Sequence, residues 1–217
     1  AEVSVRFDRQ GEYVTTQVIA GSIFASERKI WTPRGRGHRW NTALNPYGDA
    51  NGDLYPTVVE TTSAPHYPLV VWSSFNGVEY DLAWSRWSPR GWEAIGSISG
   101  NDRSGDDLDP DAVFDSKGQP YVVWWRDEPQ GGRVYVSVLL GSRWSSHYLV
   151  SKSEVDSRYP VLTLEADDSL TLRYETPEGP VSTSLAFGIP DPNTITDDIN
   201  PQVLVRVSPT HVSQPKH

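Results

Sequence analysis

Residues Asp107 to Trp124 read Asp-Leu-Asp-Pro-Asp-Ala-Val-Phe-Asp-Ser-Lys-Gly-Gln-Pro-Tyr-Val-Val-Trp. An apolar run follows Pro110, a polar turn contains Gly118, and a second run of β-branched and aromatic residues ends at Trp124. Two such runs joined by a glycine turn are typical of a β-hairpin. Because proline opens a strand but is excluded from the interior of one, Pro110 predicts the start of the first strand.

The same unit recurs along the chain. Three more prolines stand before short apolar runs, at Pro56, Pro160 and Pro201. A tryptophan opens the last predicted strand in three of the units, at Trp40, Trp92 and Trp144. An aspartate precedes every one of these four prolines by a few residues, at Asp53, Asp107, Asp156 and Asp198. Its recurrence predicts a structural role, in which the carboxylate accepts backbone N–H groups at a corner between units.

A repeat of roughly 50 residues with four antiparallel strands is typical of one β-propeller blade. We therefore predict an all-β fold, a small β-propeller of about four four-stranded antiparallel blades, with five as the alternative. Residues 1–217 are predicted to form a single domain with blades at about 2–46, 53–99, 107–150 and 156–207. The segment 202–207 is the last strand of the fourth blade, the first strand of a further blade, or a closure against the N-terminus.

The repeat unit resembles bacterial propeller repeats of the sialidase-like superfamily. Asp115-Ser116-Lys117-Gly118 forms a similar turn, but the sialidase Asp-box, Ser-x-Asp-x-Gly-x-Thr-Trp, is missing. The arginine cluster of true sialidases maps onto no residues of this chain. The resemblance therefore implies the propeller fold, and the sugar or protein binding of the non-catalytic members, without carrying over catalysis.

Composition narrows the classes of partner and compartment. The net charge of −9 disfavours nucleic acid, which needs a basic surface. No apolar run is long enough to span a bilayer. The chain has neither Cys nor Met, which excludes disulfides and thiolate sites. A start at Ala1 suits a mature chain after signal-peptide removal, so we expect a secreted or periplasmic protein; an artificially trimmed chain is the alternative.

Calcium is the candidate cofactor. Asp49, Asn51 and Asp53 place oxygen ligands at alternate positions, which is how a tight loop wraps Ca²⁺. The sixth position of this loop lacks the glycine that calcium loops require. The alternative is an Asn-Gly turn flanked by capping aspartates. A weaker set with the same spacing, stiffened by a proline, is Asp107, Asp109 and Asp111.

A basic, glycine-rich loop in an acidic chain is the first ligand-binding candidate. Arg34, Arg36 and Arg39 lie between Trp31 and Trp40. The arginines can hold a carboxylate or a sulfated or uronic sugar, and the indole rings can flank it. The alternative is a solvated turn between two strands.

Tryptophans outside the repeat pattern give the second set of ligand candidates. Trp87 opens a shorter copy of the basic loop, and Trp125-Arg126 combines a stacking ring with hydrogen-bond donors on a turn. Trp72 and Trp124 occupy one repeat position and are instead predicted to pack between blades.

The sequence contains no His-Glu-x-x-His spacing, no Gly-x-Ser-x-Gly elbow and no phosphate loop, which are common catalytic motifs. We therefore expect a non-catalytic binding module that recognises a glycan or a protein surface. A glycoside-acting enzyme of the sialidase-like class is the first alternative, because two carboxylates brought together in space hydrolyse glycosides. A scaffold portion of a longer secreted protein is the second. The oligomeric state is left open.

The calcium hypothesis predicts a metal-dependent melting temperature. If Asp49, Asn51 and Asp53 bind Ca²⁺ in the folded state only, a chelator lowers the melting temperature and added calcium restores it. Differential scanning fluorimetry with and without chelator measures the shift. An unchanged melting temperature would support the plain Asn-Gly turn.

The basic-loop hypothesis predicts salt-sensitive binding of an anionic glycan. Replacing Arg34 and Arg36 by Ala is expected to weaken that binding with little change in melting temperature, because exposed arginines contribute little to stability. Calorimetric titration with a sulfated or uronic oligosaccharide, at low and high salt, measures the effect. Unfolding of the double variant would make the arginines structural, and unchanged affinity would place the anion site elsewhere.

Overall fold

The computed structural model describes residues 3–7, 12–19, 22–29, 39–44, 52–61, 67–88, 90–98, 105–188 and 204–209. All regular structure in these ranges is β, in four antiparallel sheets. The predicted all-β class is therefore confirmed, and the arrangement is consistent with a β-propeller-like fold. Within the described ranges, no helix is long and apolar enough to cross a membrane.

The first two sheets are consecutive stretches of chain. Sheet I contains β1 (Val3–Phe7), β2 (Glu12–Ile19), β3 (Ser22–Lys29) and β4 (Arg39–Ala43). Sheet II contains β5 (Asp53–Glu60), β6 (Pro68–Phe75), β7 (Tyr80–Ser88), β8 (Gly91–Trp92) and β9 (Gly96–Ser97). The strands pair in chain order, except that β9 returns to pair with β7. The fourth strand that the sequence predicts for this sheet is thus divided into two short strands, β8 and β9, and both pair with β7.

The next two sheets repeat this meander. Sheet III contains β10 (Asp106–Phe114), β11 (Pro120–Glu128), β12 (Gly131–Leu140), β13 (Arg143–Trp144) and β14 (Tyr148–Leu149). Sheet IV contains β15 (Arg158–Leu164), β16 (Leu170–Thr176), β17 (Gly179–Gly188) and β18 (Leu204–Pro209). Because β18 pairs with β17, the C-terminal segment is the last strand of sheet IV, the first of its three interpretations.

Pro56, Pro110 and Pro160 lie inside the first strands of their sheets and not at their starts, so that prediction was wrong for these three. The fourth repeat proline, Pro201, lies outside the described residues. Pairing between the first two strands skips each of the first three prolines and the residue before it, and it resumes directly after the proline, at Thr57, Asp111 and Val161. A proline has no N–H to donate to the ladder, so the chain accommodates it in a β-bulge. Sequence reasoning excluded proline from strand interiors and overlooked the bulge as the exception.

The core consists of apolar layers between consecutive sheets. Trp72 belongs to the layer between sheets I and II, and Trp124 to the layer between sheets II and III. Both indole rings are fully buried, which confirms the predicted packing between sheets. Trp84 of sheet II meets Trp144 of sheet III edge to face, with ring centroids 5.7 Å apart. The sheets therefore stack face to face through aromatic side chains.

Sheet III also contains a fully buried ion pair. Asp107 Oδ1 accepts hydrogen bonds from Trp124 Nε1 and Arg126 Nε, both at 2.7 Å, and Oδ2 accepts one from Arg126 Nη2 at 3.0 Å. The guanidinium lies 5.0 Å from the ring centre of Tyr135. Asp107 therefore ties two side chains of its own sheet together, and the predicted role at a corner between blades is wrong for this aspartate.

Carboxylates join sheets III and IV at three points. Asp111 Oδ2 accepts the Leu162 N–H at 2.9 Å, and Asp156 Oδ1 accepts the Gly132 N–H at 2.6 Å. In the β15–β16 turn, Asp168 accepts the N–H and the hydroxyl of Ser116 at 2.9 and 2.8 Å. Asp156 thus has the predicted role of accepting a backbone N–H between sheets.

The buried ion pair predicts a large cost for Asp107→Ala. That substitution leaves the Arg126 charge and the Trp124 N–H without their acceptor in a dry environment, so we expect a loss of about 3–5 kcal/mol in the free energy of unfolding. Urea denaturation monitored by far-UV circular dichroism measures the difference in the free energy of unfolding between the variant and the unsubstituted protein.

The matched control is Asp127→Ala, which removes a half-exposed carboxylate 3.5 Å from Arg158. A surface ion pair of this kind contributes at most about 1 kcal/mol. Equal losses in the two variants would contradict the structural role of the buried pair.

Candidate functional site at the strand bulges

The three bulges meet at one cavity. It has a volume of about 470 Å³ and is lined by residues 55–57 of β5, 109–111 of β10 and 159–162 of β15. These are the first strands of sheets II, III and IV, which lie next to one another in chain order. The volume falls within the range of about 300–1,000 Å³ that is usual for small-molecule sites. The cavity is therefore the candidate site.

Each bulge holds one residue in a left-handed backbone conformation. Tyr55, Asp109 and Tyr159 have φ angles of 51°, 53° and 55°, and each stands directly before a repeat proline. Residues other than glycine rarely adopt this conformation, and a bulky residue there costs on the order of 1–3 kcal/mol. A bulge re-aims the side chain that it contains. The same strained position thus recurs in three sheets and lines one cavity.

Tyr159 is held at the cavity by a buried neighbour. Its side chain is 55% exposed, and its ring centre lies 5.9 Å from that of Trp125 in an edge-to-face arrangement. Trp125 is only 6% exposed and also contacts Arg158, whose guanidinium lies 4.8 Å from the indole centre. Trp125 was predicted to contact ligand from an exposed turn, whereas the structure places it as a support beneath an exposed tyrosine.

Charges at this edge of the cavity are arranged around Arg158. Its Nε donates to Asp156 Oδ1 at 2.9 Å, and its Nη2 lies 3.5 Å from Asp127 Oδ1. The hydrogen bond from Arg158 lowers the pKa of Asp156 below its ordinary value. Both groups are therefore ionised at neutral pH, and they fix the segment that leads into the third bulge.

Two carboxylates line the cavity itself. Asp111 has one oxygen bound to the Leu162 N–H, as described above, and Asp109 occupies the position that tyrosine takes in the other two bulges. Among the described residues of the lining, none is Lys, Arg or His. The cavity thus presents tyrosine rings, prolines and acidic oxygens.

The described lining of this cavity includes none of the other predicted ligand-binding residues. Trp31, Arg34 and Arg36 lie outside the described residues, while Arg39 and Trp40 are the first residues of β4. Their roles stay predictions.

Trp87 and Arg126 have defined partners in the structure. Trp87, in β7, is partly buried and meets Trp92 edge to face at 5.6 Å. Arg126 is 2% exposed within the ion pair of sheet III, so its guanidinium does not face solvent.

The predicted calcium ligands are only partly described. Asp53 is the first residue of β5 and is buried, whereas Asp49 and Asn51 lie outside the described residues. In the described part of the chain, no group of three or more His, Asp or Glu side chains is arranged to hold a metal ion. Since two of the three proposed ligands are not covered by that statement, the calcium site stays a prediction.

Sequence reasoning missed the residues that form the cavity. The available signal was the residue directly before each repeat proline, at Tyr55, Asp109 and Tyr159. We used these prolines only to mark strand starts. Their convergence could not be read from the sequence, because it depends on how the first strands of three sheets pack together.

The comparisons with known proteins indicate a fold and no more. No protein-family model matches the chain, and a search of the curated proteins finds no significant match. The endo-arabinase of Bacteroides thetaiotaomicron VPI-5482 is similar in structure, with a TM-score of 0.52 and 12% identity over 99% of this chain and 95% of that protein.

The NanB sialidase of Streptococcus pneumoniae aligns with a TM-score of 0.50 and 11% identity over 78% of this chain and 26% of that one. This chain thus matches about a quarter of the sialidase. A fucose lectin of Kordia zhangzhouensis aligns with a TM-score of 0.43 and 12% identity over 70% of this chain and 99% of the lectin. The first two similarities support a β-propeller-like arrangement of the four sheets.

Proposed function

We propose that this protein is a non-catalytic module that binds a glycan in the cavity at the three bulges. The observation that carries the proposal is the repeated left-handed residue before proline, which brings Tyr55, Asp109 and Tyr159 to one cavity. Strained backbone conformations persist where the surrounding structure enforces them, and they cluster at binding sites. The endo-arabinase and the sialidase named above are consistent with a carbohydrate ligand.

The chemistry of the lining suits a sugar. The exposed ring of Tyr159 offers a flat apolar face against which the C–H groups of a sugar ring can pack. Carboxylate oxygens at Asp109 and Asp111 can accept hydrogen bonds from hydroxyl groups. A small number of polar groups among apolar walls is the usual composition of a ligand site.

The proposal includes a propeller architecture. With four sheets as four blades, β5, β10 and β15 are inner strands, and the cavity lies at the axis where inner strands meet. A secreted or periplasmic location and a Ca²⁺ ion at Asp49, Asn51 and Asp53 belong to the same proposal. Two alternatives to glycan binding are recognition of a protein surface and a scaffold role within a longer chain.

A glycoside-acting enzyme is the second candidate, because two carboxylates line the cavity. Glycosidases place their two carboxyl groups on either side of the scissile bond, roughly 5–9.5 Å apart. Here Asp109 and Asp111 are two residues apart on one strand, and Asp111 is bound to the Leu162 N–H. A carboxylate that holds two sheets together is poorly suited to act as an acid, a base or a nucleophile, so we favour binding.

Glycan binding is expected to depend on the exposed tyrosine. Tyr159→Asn removes the ring but keeps a residue that tolerates the left-handed conformation, so we expect about tenfold weaker binding with the fold retained. An array of immobilised oligosaccharides identifies the ligand, and isothermal titration calorimetry with that oligosaccharide compares the variants. The matched control is Tyr148→Asn, because Tyr148 is 42% exposed on β14, outside the cavity lining.

Three results would contradict the proposal. If no oligosaccharide on the array binds, the protein is not a glycan-binding module. If Tyr148→Asn weakens binding as much as Tyr159→Asn does, the site lies elsewhere. Turnover of a fluorogenic glycoside that disappears in Asp109→Asn would favour the enzyme.

A further inference from the structure

The cavity is open on the side of sheet IV. The described lining residues of β5 and β10 are buried or partly buried, whereas Tyr159 and Val161 of β15 are 55% and 52% exposed. Sheets II and III therefore form the enclosed walls, and the wall formed by sheet IV lies at the surface. A ligand that packs against Tyr159 thus lies next to an accessible surface of the protein.

That surface is one face of sheet IV. Leu162 is buried in the apolar layer between sheets III and IV, while Val161 and Thr163 on either side of it are exposed. Because successive side chains of a strand point to opposite faces, Val161 and Thr163 share the face that is turned away from sheet III. The cavity wall therefore continues into the outward face of sheet IV.

Two rows of side chains cross this face in register. Val161 is paired with Arg173 of β16, and Thr163 is paired with Thr171. Thr171 is paired in turn with Ser184 of β17. Directly opposite residues on neighbouring strands project from the same face of a sheet. We call these five residues the outer face: one apolar side chain at the cavity, followed by three hydroxyl groups and one guanidinium.

The chemistry of the outer face suits a hydroxyl-rich chain. Threonine and serine hydroxyls both donate and accept hydrogen bonds, and a guanidinium has five N–H donors. Arg173 lies 3.6 Å from Glu175, a contact between two exposed side chains that engages one end of the guanidinium. The core of a protein–protein interface is by contrast apolar and poor in charged residues. The polar outer face therefore favours a sugar chain over a protein partner.

The spacing on the outer face also suits a chain. Side chains two residues apart on a strand are separated by about 6.5–7 Å, and neighbouring strands by about 4.8 Å. These steps are comparable with the length of one sugar residue. Successive residues of an oligosaccharide can thus meet successive side chains of the outer face.

We propose that the glycan is a linear chain, with one sugar residue against Tyr159 in the cavity and the following residues on the outer face of sheet IV. This inference rests on the proposed function and extends its site beyond the cavity. Val161 forms the apolar contact where the chain leaves the cavity, and Thr171 and Arg173 bond to hydroxyl groups of the following residues. The site thus recognises a stretch of chain, and a single terminal sugar fills only part of it.

The dependence of affinity on chain length is the first test. The array carries linear β-1,4-linked oligosaccharides of glucose, mannose and xylose, each from one to six residues, and calorimetric titration follows for any series that binds. We expect the affinity to rise about tenfold between the disaccharide and the tetrasaccharide, which corresponds to about 1.4 kcal/mol. The affinity is expected to level off once the outer face is covered.

Variants of the outer face test where the added residues bind. Arg173→Ala and Thr171→Val remove hydrogen-bonding groups from the outer face, and Thr171→Val keeps the β-branched shape. Each variant is expected to lose most of the gain from disaccharide to tetrasaccharide and to bind the disaccharide as before. Tyr159→Asn is expected to weaken both ligands alike. The matched control is Arg143→Ala, because Arg143 is exposed on β13 of sheet III, and it is expected to keep the full gain.

The outcomes separate this inference from the proposed function. Equal affinity for the disaccharide and the tetrasaccharide overturns the extended site and leaves glycan binding intact. A full gain in both outer-face variants, or an equal loss in Arg143→Ala, overturns the assignment to the outer face. Failure of the linear series, while a monosaccharide or a branched oligosaccharide on the array binds, overturns the chain inference alone; failure of every glycan overturns both.

Discussion

A proline inside a strand removes one N–H from the ladder, and much of this molecule is organised around that loss. In β5, β10 and β15 the chain responds with a bulge, and pairing resumes one residue after the proline. The residue before the proline is left in a left-handed conformation. Because the first strands of three sheets lie side by side, three local irregularities become the walls of one cavity.

The surrounding structure stabilises this strained arrangement. Apolar layers between the sheets hold them face to face, and the buried pair of Asp107 and Arg126 ties the first two strands of sheet III together next to its bulge. Removing either partner would leave an uncompensated charge in the core. The same hydrogen bonds that stabilise the sheet therefore also fix the backbone on which Asp109 is presented.

The sequence was sufficient to predict the repeat, the strands and the stacking of Trp72 and Trp124, because alternation, turns and spacing are local or periodic properties. The sequence was misleading about the location of Trp125 and Arg126. An aromatic and a polar residue next to each other on a predicted turn suggested a ligand site at the surface. Both are buried in β11, since a partner from another strand or sheet, Asp107 or Tyr159, covers them. Such partners depend on register and packing, which composition does not encode. The cavity could not be predicted for the same reason.

The carboxylate links between sheets III and IV bear on how the molecule opens. Amide protons of Leu162, Gly132 and Ser116 are each held by an aspartate of the neighbouring sheet. Exchange of these protons with solvent deuterium requires the aspartate bonds to break, so their exchange rates report how firmly sheets III and IV are held against each other. Asp111 and Leu162 both line the cavity, so exchange at the Leu162 amide also reports on the contact between two of its walls.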